Sequence, residues 1–187
     1  MPKLYVVTVS TRDGRLGPPI AEWTVERAKA HGKFDVELVD LRQVNLPVFD
    51  EPEHPRFRKP VHEHTKQWAA KIAKADAFVF VTPEYNYGMP PSLLNALTYL
   101  SHEWHYKAAG FVSYGGVSGG TRSVQMAKEV MTSLKLVPIP EAVSIPFFLK
   151  MIADGKFTPG EMQDKAIGPM LDELFKWDTA LKTLRVA

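Results

Sequence analysis

Short apolar segments alternate with segments of helical periodicity along the chain, and this alternation restricts the possible fold more than any other feature. The strand-like segments are residues 4–9, 34–41, 77–81, 108–113 and 137–143. Helical spacing follows them over residues 18–31, 62–75, 91–100 and 123–134, and again near the end of the chain. Such alternation is typical of parallel strands joined by right-handed crossovers. The sequence therefore predicts an α/β fold, a three-layer sandwich with helices on both faces of a five-stranded parallel sheet.

The last helix is predicted from its start signals. Thr158 is the expected N-cap, with Pro159 at the first helical position and Glu161 at the third. Two segments do not follow the alternation. Residues 41–60 contain four prolines, so neither a helix nor a central strand is expected in this segment. Residues 144–157 are apolar without a clean period, which indicates a surface for a partner.

Length and composition limit the class of protein. A chain of 187 residues with 45% hydrophobic residues predicts one domain spanning residues 1–187. Neither a membrane-spanning stretch of roughly 20 apolar residues nor a signal-peptide pattern is found, so we expect a cytoplasmic protein without a membrane partner. The net charge is +2 and the basic residues are scattered, so no nucleic-acid partner is expected. Since cysteine is absent, any redox chemistry requires a bound cofactor.

The third predicted strand ends in a polar turn. Residues 83–88 read Pro-Glu-Tyr-Asn-Tyr-Gly, and Pro90 and Pro91 then start a helix. This turn is therefore expected at the carboxyl end of a core strand, where open α/β sheets bind ligands.

Two more loops are expected at the same edge of the sheet. Residues 10–18 place hydroxyl groups, arginines and glycines before a helix N-terminus, which indicates a site for a single phosphate. Residues 113–122 contain four glycines within six positions, which lets the backbone approach a flat ring closely. Together the loops predict a ligand with an anionic tail and a planar ring.

Three alternatives to this site fit the sequence less well. Residues 116–120 match the G-x-S-x-G pattern of hydrolases, but the last histidine, His105, precedes Ser118, so the expected chain order of a triad cannot be completed. A magnesium-binding receiver domain would need acidic residues after strands one and three, where this chain has Ser10-Thr11 and Thr82-Pro83.

His62 and His64 are two apart and are not expected to face each other on a helix. His102 and His105 are three apart and are interpreted as solvated, so no metal site is expected.

The turn at residues 83–88, with the Leu94-Asn95-Ala96 sequence that follows it, resembles the flavin-contacting loop of the NADPH-dependent FMN reductase family. That family includes azoreductase-like and chromate or quinone reductase members. The resemblance covers nearly the whole chain and implies a flavodoxin-like sheet of strand order 2-1-3-4-5 that binds FMN.

By this resemblance, Ser10 and Arg12 bind the FMN phosphate, and Arg15 is a further candidate. Leu16-Gly17-Pro18 stands where many members have Ser and Asn, so the phosphate ligands on the helix side stay open. The expected contacts with the flavin ring are Pro83, Glu84, Tyr85, Asn86 and Tyr87 from one loop and Ser113, Tyr114, Gly115, Gly116, Gly119 and Gly120 from the other.

The function expected from these features is an NAD(P)H-dependent oxidoreductase. Hydride would pass from NADPH or NADH to bound FMN, and electrons would then pass to a quinone, azo compound, chromate or similar small molecule. No catalytic side chain is expected, because the cofactor carries the chemistry. The alternatives are a non-enzymatic FMN-binding electron carrier or redox sensor, or a partner-binding protein on the same fold.

A homodimer, or a tetramer, is also expected. Apolar side chains flanking the site exceed what one small sheet should bury, and the resembled family is commonly oligomeric. These side chains are Leu97, Tyr99, Leu100, Trp104, Phe147, Phe148 and Met151.

Overall fold

The computed structural model describes residues 1–185, which are organised around a five-stranded parallel sheet. Its strands are β1 (Lys3–Thr8), β2 (Asp35–Asp40), β3 (Ala77–Pro83), β4 (Ala108–Tyr114) and β5 (Val137–Ile145). The spatial order is β2-β1-β3-β4-β5, and all four pairings are parallel. The predicted flavodoxin-like strand order is thereby confirmed.

Helices cover both faces of the sheet. They are α1 (Gly17–His31), α2 (Leu41–Val44), α3 (Glu63–Ala73), α4 (Pro91–Thr98), α5 (Thr121–Ser133) and α6 (Glu161–Leu181). A small antiparallel hairpin, β6 (Ile152–Ala153) and β7 (Lys156–Phe157), lies between β5 and α6. Within residues 1–185, no helix is both long enough and apolar enough to cross a bilayer.

The period of two along the strands divides the core into two layers. On β1, Tyr5 and Val7 pack in the layer formed with α3, α4 and α5, whereas Leu4 and Val6 pack in the layer formed with α1 and α6. Every residue of β3 and β4 is buried, as expected for central strands covered on both faces. Consequently α1, which follows β1, and α4, which follows β3, lie on opposite faces of the sheet.

The predicted start of the last helix is wrong by two residues. The N–H of Thr158 donates to the carbonyl of Met151 (2.8 Å), which ties Thr158 to the end of the hairpin. Helix α6 begins at Glu161 with Gly160 as its N-cap, and the Gln163 side chain accepts the Gly160 N–H at 3.1 Å. The neighbouring hairpin therefore decides where the helix starts.

The expectation of no helix within residues 41–60 is also wrong. Helix α2 occupies the stretch before the first proline of that segment, and the Asp40 side chain caps it by accepting the N–H of Arg42 at 3.0 Å. The stretch around Pro47 and Phe49 packs on α4, where the Asn95 side chain accepts the Phe49 N–H at 2.9 Å and donates to the Pro47 carbonyl at 2.6 Å.

Four of the side chains proposed as a surplus apolar surface are buried within the chain. Leu97, Tyr99, Leu100 and Trp104 are at most 3% exposed. The Trp104 ring packs edge-on to Phe78 at a centroid distance of 5.2 Å, in the layer between the sheet and helices α3 to α5. These residues therefore complete the chain's own core and provide no surface for a partner.

Candidate functional site

The loops after β1, β3 and β4 meet at the carboxyl edge of the sheet. The Val9 N–H donates to the Val81 carbonyl (3.1 Å), and the Glu84 N–H donates to the Tyr114 carbonyl (3.3 Å), so the three loops leave the sheet side by side. Because α1 and α4 lie on opposite faces, a crevice opens between the first two loops. The structure thus brings together the three loops that the sequence singled out.

In the first loop, the two arginines have different surroundings. Arg15 forms two hydrogen bonds of 2.5 Å with the carboxylate of Asp40, and its Nη1 also donates to the Ser10 carbonyl at 2.8 Å. Burial opposes ionisation of Asp40, but Arg15 and the Arg42 N–H outweigh it and hold the pKa of Asp40 below its usual range. Arg12 is exposed, with its guanidinium carbon 5.7 Å from the ring centre of Tyr85. Arg15 therefore braces the loop, and Arg12 is available to a ligand.

Hydroxyl groups gather where α1 begins. Ser10 is 2% exposed, and its Oγ shares a 2.6 Å hydrogen bond with the Oη of Tyr85. The Tyr114 hydroxyl lies against Gly17, since a Cβ built on that glycine would be only 2.6 Å from it. Tyr85 and Tyr114, both expected at the flavin ring, thus direct their hydroxyls toward Ser10 and the N-terminus of α1.

The second loop is a two-residue turn. Tyr85 and Gly88 exchange both backbone hydrogen bonds (3.0 and 2.9 Å), and the central residues Asn86 and Tyr87 have φ of 49° and 66°. Two positive φ values are the pattern of a type I′ hairpin turn, which normally favours glycine at the second position. Tyr87 is 73% exposed, and the Arg122 guanidinium lies 4.0 Å from its ring centre. A strained, exposed aromatic residue beside a crevice is typical of a ligand-contacting position.

The third loop depends on its glycines in two different ways. Gly119 and Gly120 have φ of 58° and 86°, and the Gly119 carbonyl accepts hydrogen bonds from the Ser113 and Ser144 hydroxyls (2.8 and 3.2 Å). Gly116 is exposed, and a Cβ added there would meet no atom within 4 Å. The backbone conformation therefore requires glycine at positions 119 and 120, whereas the space next to Gly116 is open to solvent.

Glu84 ties the second loop to the third. Its carboxylate accepts hydrogen bonds from the Ser118 hydroxyl (2.8 Å), the Arg122 N–H (3.1 Å) and the Arg122 Nε (2.7 Å). Burial raises the pKa of Glu84, but these three donors outweigh it and hold the pKa below its usual range. The Glu84 side chain, expected at the ring, thus fixes the first turn of α5 against the turn at residues 85–88.

Replacing Glu84 by glutamine is expected to destabilise the protein in a pH-dependent way. A lowered pKa in the folded state stabilises the fold above the ordinary glutamate pKa, and this contribution is lost as the pH falls through the folded-state pKa. Urea unfolding at neutral pH should show Glu84→Gln to be about 1–2 kcal/mol less stable than wild type, since charge-assisted hydrogen bonds are lost. The difference should shrink in acid.

The matched control is Glu161→Gln, because Glu161 forms an ion pair with Lys165 while remaining 80% exposed. Exposed pairs of this kind contribute little, so its stability should match wild type at both pH values. A Glu84→Gln difference that stays constant with pH would contradict the assigned ionisation.

The segment after β5 is part of the site, which the sequence analysis missed. The Phe147 N–H donates to the Gly116 carbonyl (2.9 Å), and the Phe148 ring packs on Tyr114 at a centroid distance of 5.0 Å. The segment therefore backs the glycine-rich loop. Its position at the carboxyl end of a strand was the available signal, but its apolar composition favoured a partner surface instead.

The geometry argues against the hydrolase alternative. The Ser118 hydroxyl donates to Glu84, and His105 precedes β4 and so lies toward the opposite end of the sheet. Among residues 1–185, no histidine forms a hydrogen bond with the Ser118 hydroxyl, as a triad requires.

The two histidine pairs differ from expectation in one respect. His62 and His64 do face each other, with stacked rings 5.1 Å apart, because His62 is the extended N-cap of α3 and not part of the helix. In the part of the chain that the structure describes, no group of three or more His, Asp or Glu side chains is arranged to hold a metal ion.

The comparisons with known proteins agree with this arrangement. A family model described as NADPH-dependent FMN reductase matches residues 2–150. An NAD(P)H-dependent FMN reductase of Schizosaccharomyces pombe is 42% identical over 171 residues, which are 90% of this chain and 85% of the relative. An NAD(P)H:quinone oxidoreductase of Solanum tuberosum is 36% identical over 144 residues, 71% of this chain and 70% of the relative.

Among solved structures, a flavoenzyme NAD(P)H:(acceptor) oxidoreductase from Paracoccus denitrificans superimposes with a TM-score of 0.73. It is 21% identical, and the match covers 96% of this chain and 98% of that one. At this identity the likeness shows the shared fold.

Proposed function

The chain belongs to the NADPH-dependent FMN reductase family, and from this premise we propose that it is a flavoenzyme that oxidises NADPH or NADH. FMN would be held at the carboxyl edge of the sheet by one domain spanning residues 1–187. The proposed acceptor is a quinone, azo compound, chromate or similar small molecule, and the quinone is supported by the name of the Solanum tuberosum relative. We place the activity in the cytoplasm, where reduced nicotinamide nucleotides are available; cell fractionation would test this.

The observation that carries the proposal is the shape of the crevice. At one end, Arg12, Ser10 and the N-terminus of α1 form a polar, cationic pocket that suits a phosphate. At the other, the exposed backbone around Gly116 and the turn at residues 85–88 flank an open surface that suits a planar ring. The residues present therefore fit FMN.

Bound FMN supplies the redox chemistry, so the protein's contribution is binding and orientation. We assign Ser10 and Arg12 to the phosphate and Arg15 to bracing the loop through Asp40. The backbone of residues 83–87 and 113–120 is assigned to the ring. Glu84 keeps these two stretches in register by binding Ser118 and Arg122.

One spectroscopic experiment tests this proposal against a non-enzymatic carrier or redox sensor. The purified protein should show the visible absorption of an oxidised flavin, which NADPH should bleach under anaerobic conditions. Addition of a quinone should then restore the colour, with sustained NADPH consumption. Retained FMN with only slow reduction would favour the carrier, and failure to bind FMN would contradict both.

We also propose that the protein is a homodimer, or a tetramer built from such dimers. Val48 is 86% exposed and Leu94 39% exposed, and both line a cavity of about 720 Å³ that reaches the phosphate loop at Thr11. Exposed apolar side chains next to a ligand site favour a covering partner, and a second copy would place its surface beside the flavin.

Light scattering should therefore give twice the 21.0 kDa monomer mass or a multiple of that. Val48→Asp should dissociate the assembly, since it buries an unpaired charge. Met162→Asp, on the helix that covers the opposite face and 69% exposed, is the control that should leave it intact. A fully active monomer with normal FMN content would contradict the dimer.

A further inference from the structure

The Tyr114 side chain is buried with an unused hydroxyl group. Tyr114 is 3% exposed, and its hydroxyl lies near that of Ser10, which is already bonded to Tyr85, so it is left without a well-formed hydrogen bond among residues 1–185. Leaving a buried hydroxyl unpaired is unfavourable, and such a group normally finds a partner in the protein, in ordered water or in a ligand. Burial, with a contribution from Tyr85, also raises the pKa of Tyr114, so the hydroxyl keeps its proton and can donate it to an anion.

The hydroxyl lies at the N-terminus of α1. It contacts Gly17, the first residue of the helix, so closely that any side chain there would collide with it. The ring is held from behind by Phe148, and the main chain by the hydrogen bond from the Glu84 N–H to the Tyr114 carbonyl. The group is therefore fixed in place and does not swing freely into solvent.

This end of α1 lacks donors that helix N-termini usually offer to a phosphate. Two of its first three residues, Pro18 and Pro19, have no N–H, and the N-cap Leu16 has no capping side chain. A phosphate here would find fewer backbone donors than at a typical anion-binding helix. The hydroxyls of Tyr114 and Ser10 lie near this helix end and can replace the backbone N–H donors that it lacks.

We propose that the Tyr114 hydroxyl donates a hydrogen bond to the terminal phosphate of the bound flavin nucleotide and makes the site selective for a phosphorylated flavin. This inference rests on the proposed function. It assigns the Tyr114 side chain to the phosphate, whereas the sequence analysis expected it at the flavin ring. The buried, unpartnered hydroxyl at a proline-depleted helix N-terminus is the observation behind it.

The test is Tyr114→Phe, which removes only the hydroxyl. FMN affinity should fall about 10- to 150-fold, the range expected for one hydrogen bond to a charged group. Riboflavin, which has the ring without the phosphate, should bind wild type and variant equally. The unliganded variant should have a Tm equal to or above that of wild type, because an unpaired buried polar atom has been removed.

Tyr99→Phe is the matched control. Tyr99 is equally buried, but its hydroxyl donates to Asp50 (2.9 Å) outside the site. Its loss should lower the Tm of the unliganded protein and leave FMN affinity unchanged. The two variants should therefore show opposite patterns of stability and affinity.

Two results would overturn the inference while leaving the proposed function intact. One is wild-type FMN affinity in Tyr114→Phe. The other is an equal loss of FMN and riboflavin binding, which would return Tyr114 to the ring. If wild type binds neither flavin, the proposed function fails as well, and inorganic phosphate then tests the role of Tyr114. Phosphate should raise the Tm of wild type more than that of Tyr114→Phe. Equal Tm shifts would overturn the phosphate contact.

Discussion

Gly119→Val is expected to destabilise the whole fold by about 2–5 kcal/mol, whereas Gly116→Val should leave the stability unchanged. Gly119 has φ of 58°, and a Cβ there would lie 2.2 Å from the Ser144 Oγ and 3.0 Å from the Pro146 backbone nitrogen. The side chain of Ser144 can rotate away, but the backbone of Pro146 cannot. Backbone strain and overpacking therefore add together, and thermal or urea unfolding should show the loss directly.

Gly116→Val addresses ligand binding separately from folding. Its Cβ would enter open space, so the Tm should equal that of wild type. If the flavin ring lies on this part of the loop, the added methyl groups should obstruct it and weaken FMN binding. Normal FMN affinity and normal turnover in this variant would mean that the loop around Gly116 is only a connection between β4 and α5.

Gly155→Val is the control that separates strain from collision. Gly155 has φ of 73° in the β6–β7 hairpin, and a Cβ there would meet no atom within 4 Å. Only the conformational cost of about 1–2 kcal/mol should appear. A loss in Gly119→Val no larger than in Gly155→Val would contradict the packing described around Ser144 and Pro146.

Arg12→Ala is expected to weaken FMN binding about 10- to 150-fold, which corresponds to a charge-assisted contact of about 1.5–3 kcal/mol. Its guanidinium is exposed at the mouth of the first loop, and among residues 1–185 it forms no ion pair. Titration of the unliganded protein with FMN would measure the change. Unchanged affinity would contradict the assignment of Arg12 to the phosphate.

Arg15→Ala is the informative comparison, because Arg15 lies in the same loop as Arg12 but is already bound to Asp40. Its loss leaves the carboxylate of Asp40, only 11% exposed, without its main partner. The expected effect is a loss of stability of about 1–3 kcal/mol together with a looser phosphate loop. A strong loss of FMN affinity with unchanged Tm would instead show that Arg15 leaves Asp40 to bind the phosphate.

Much of the fold could be read from the chain because its signals are local. Strands that are apolar at every position, such as residues 77–81, satisfy both faces only inside a helix-covered parallel sheet. The turn ahead of Pro90 and Pro91 marks a strand end followed by a helix start, and the glycine-rich stretch marks another. Such patterns depend on neighbours in sequence, so the alternation of strands and helices and the three loops of the site were predictable, whereas the strand order was implied by the resemblance to a known family.

Two of the errors come from contacts outside the segment on which each prediction was based. Thr158 is a good N-cap by type, but the hairpin's bond to Met151 withdraws it from the helix. Trp104 and Tyr99 are apolar enough for an interface, but Trp104 packs next to Trp68 and Phe78, and Tyr99 packs against Phe49. Local preference cannot foresee either outcome, because tertiary packing sets which groups remain available.

By itself, the sequence determined the α/β sandwich and the edge of the sheet where the candidate loops meet, and its resemblance to a known family supplied the strand order. Only the tertiary structure decided which side chains at that edge are free to contact a ligand and which hold the loops together. Whether Arg12 or Arg15 is available depends on Asp40, and whether Glu84 contacts a ring or braces a helix depends on Ser118 and Arg122. These partners are 25 to 38 positions apart in the chain. The physical reason is that a polar side chain acts through the partner it finds after folding, and a sequence pattern specifies the side chain but not that partner.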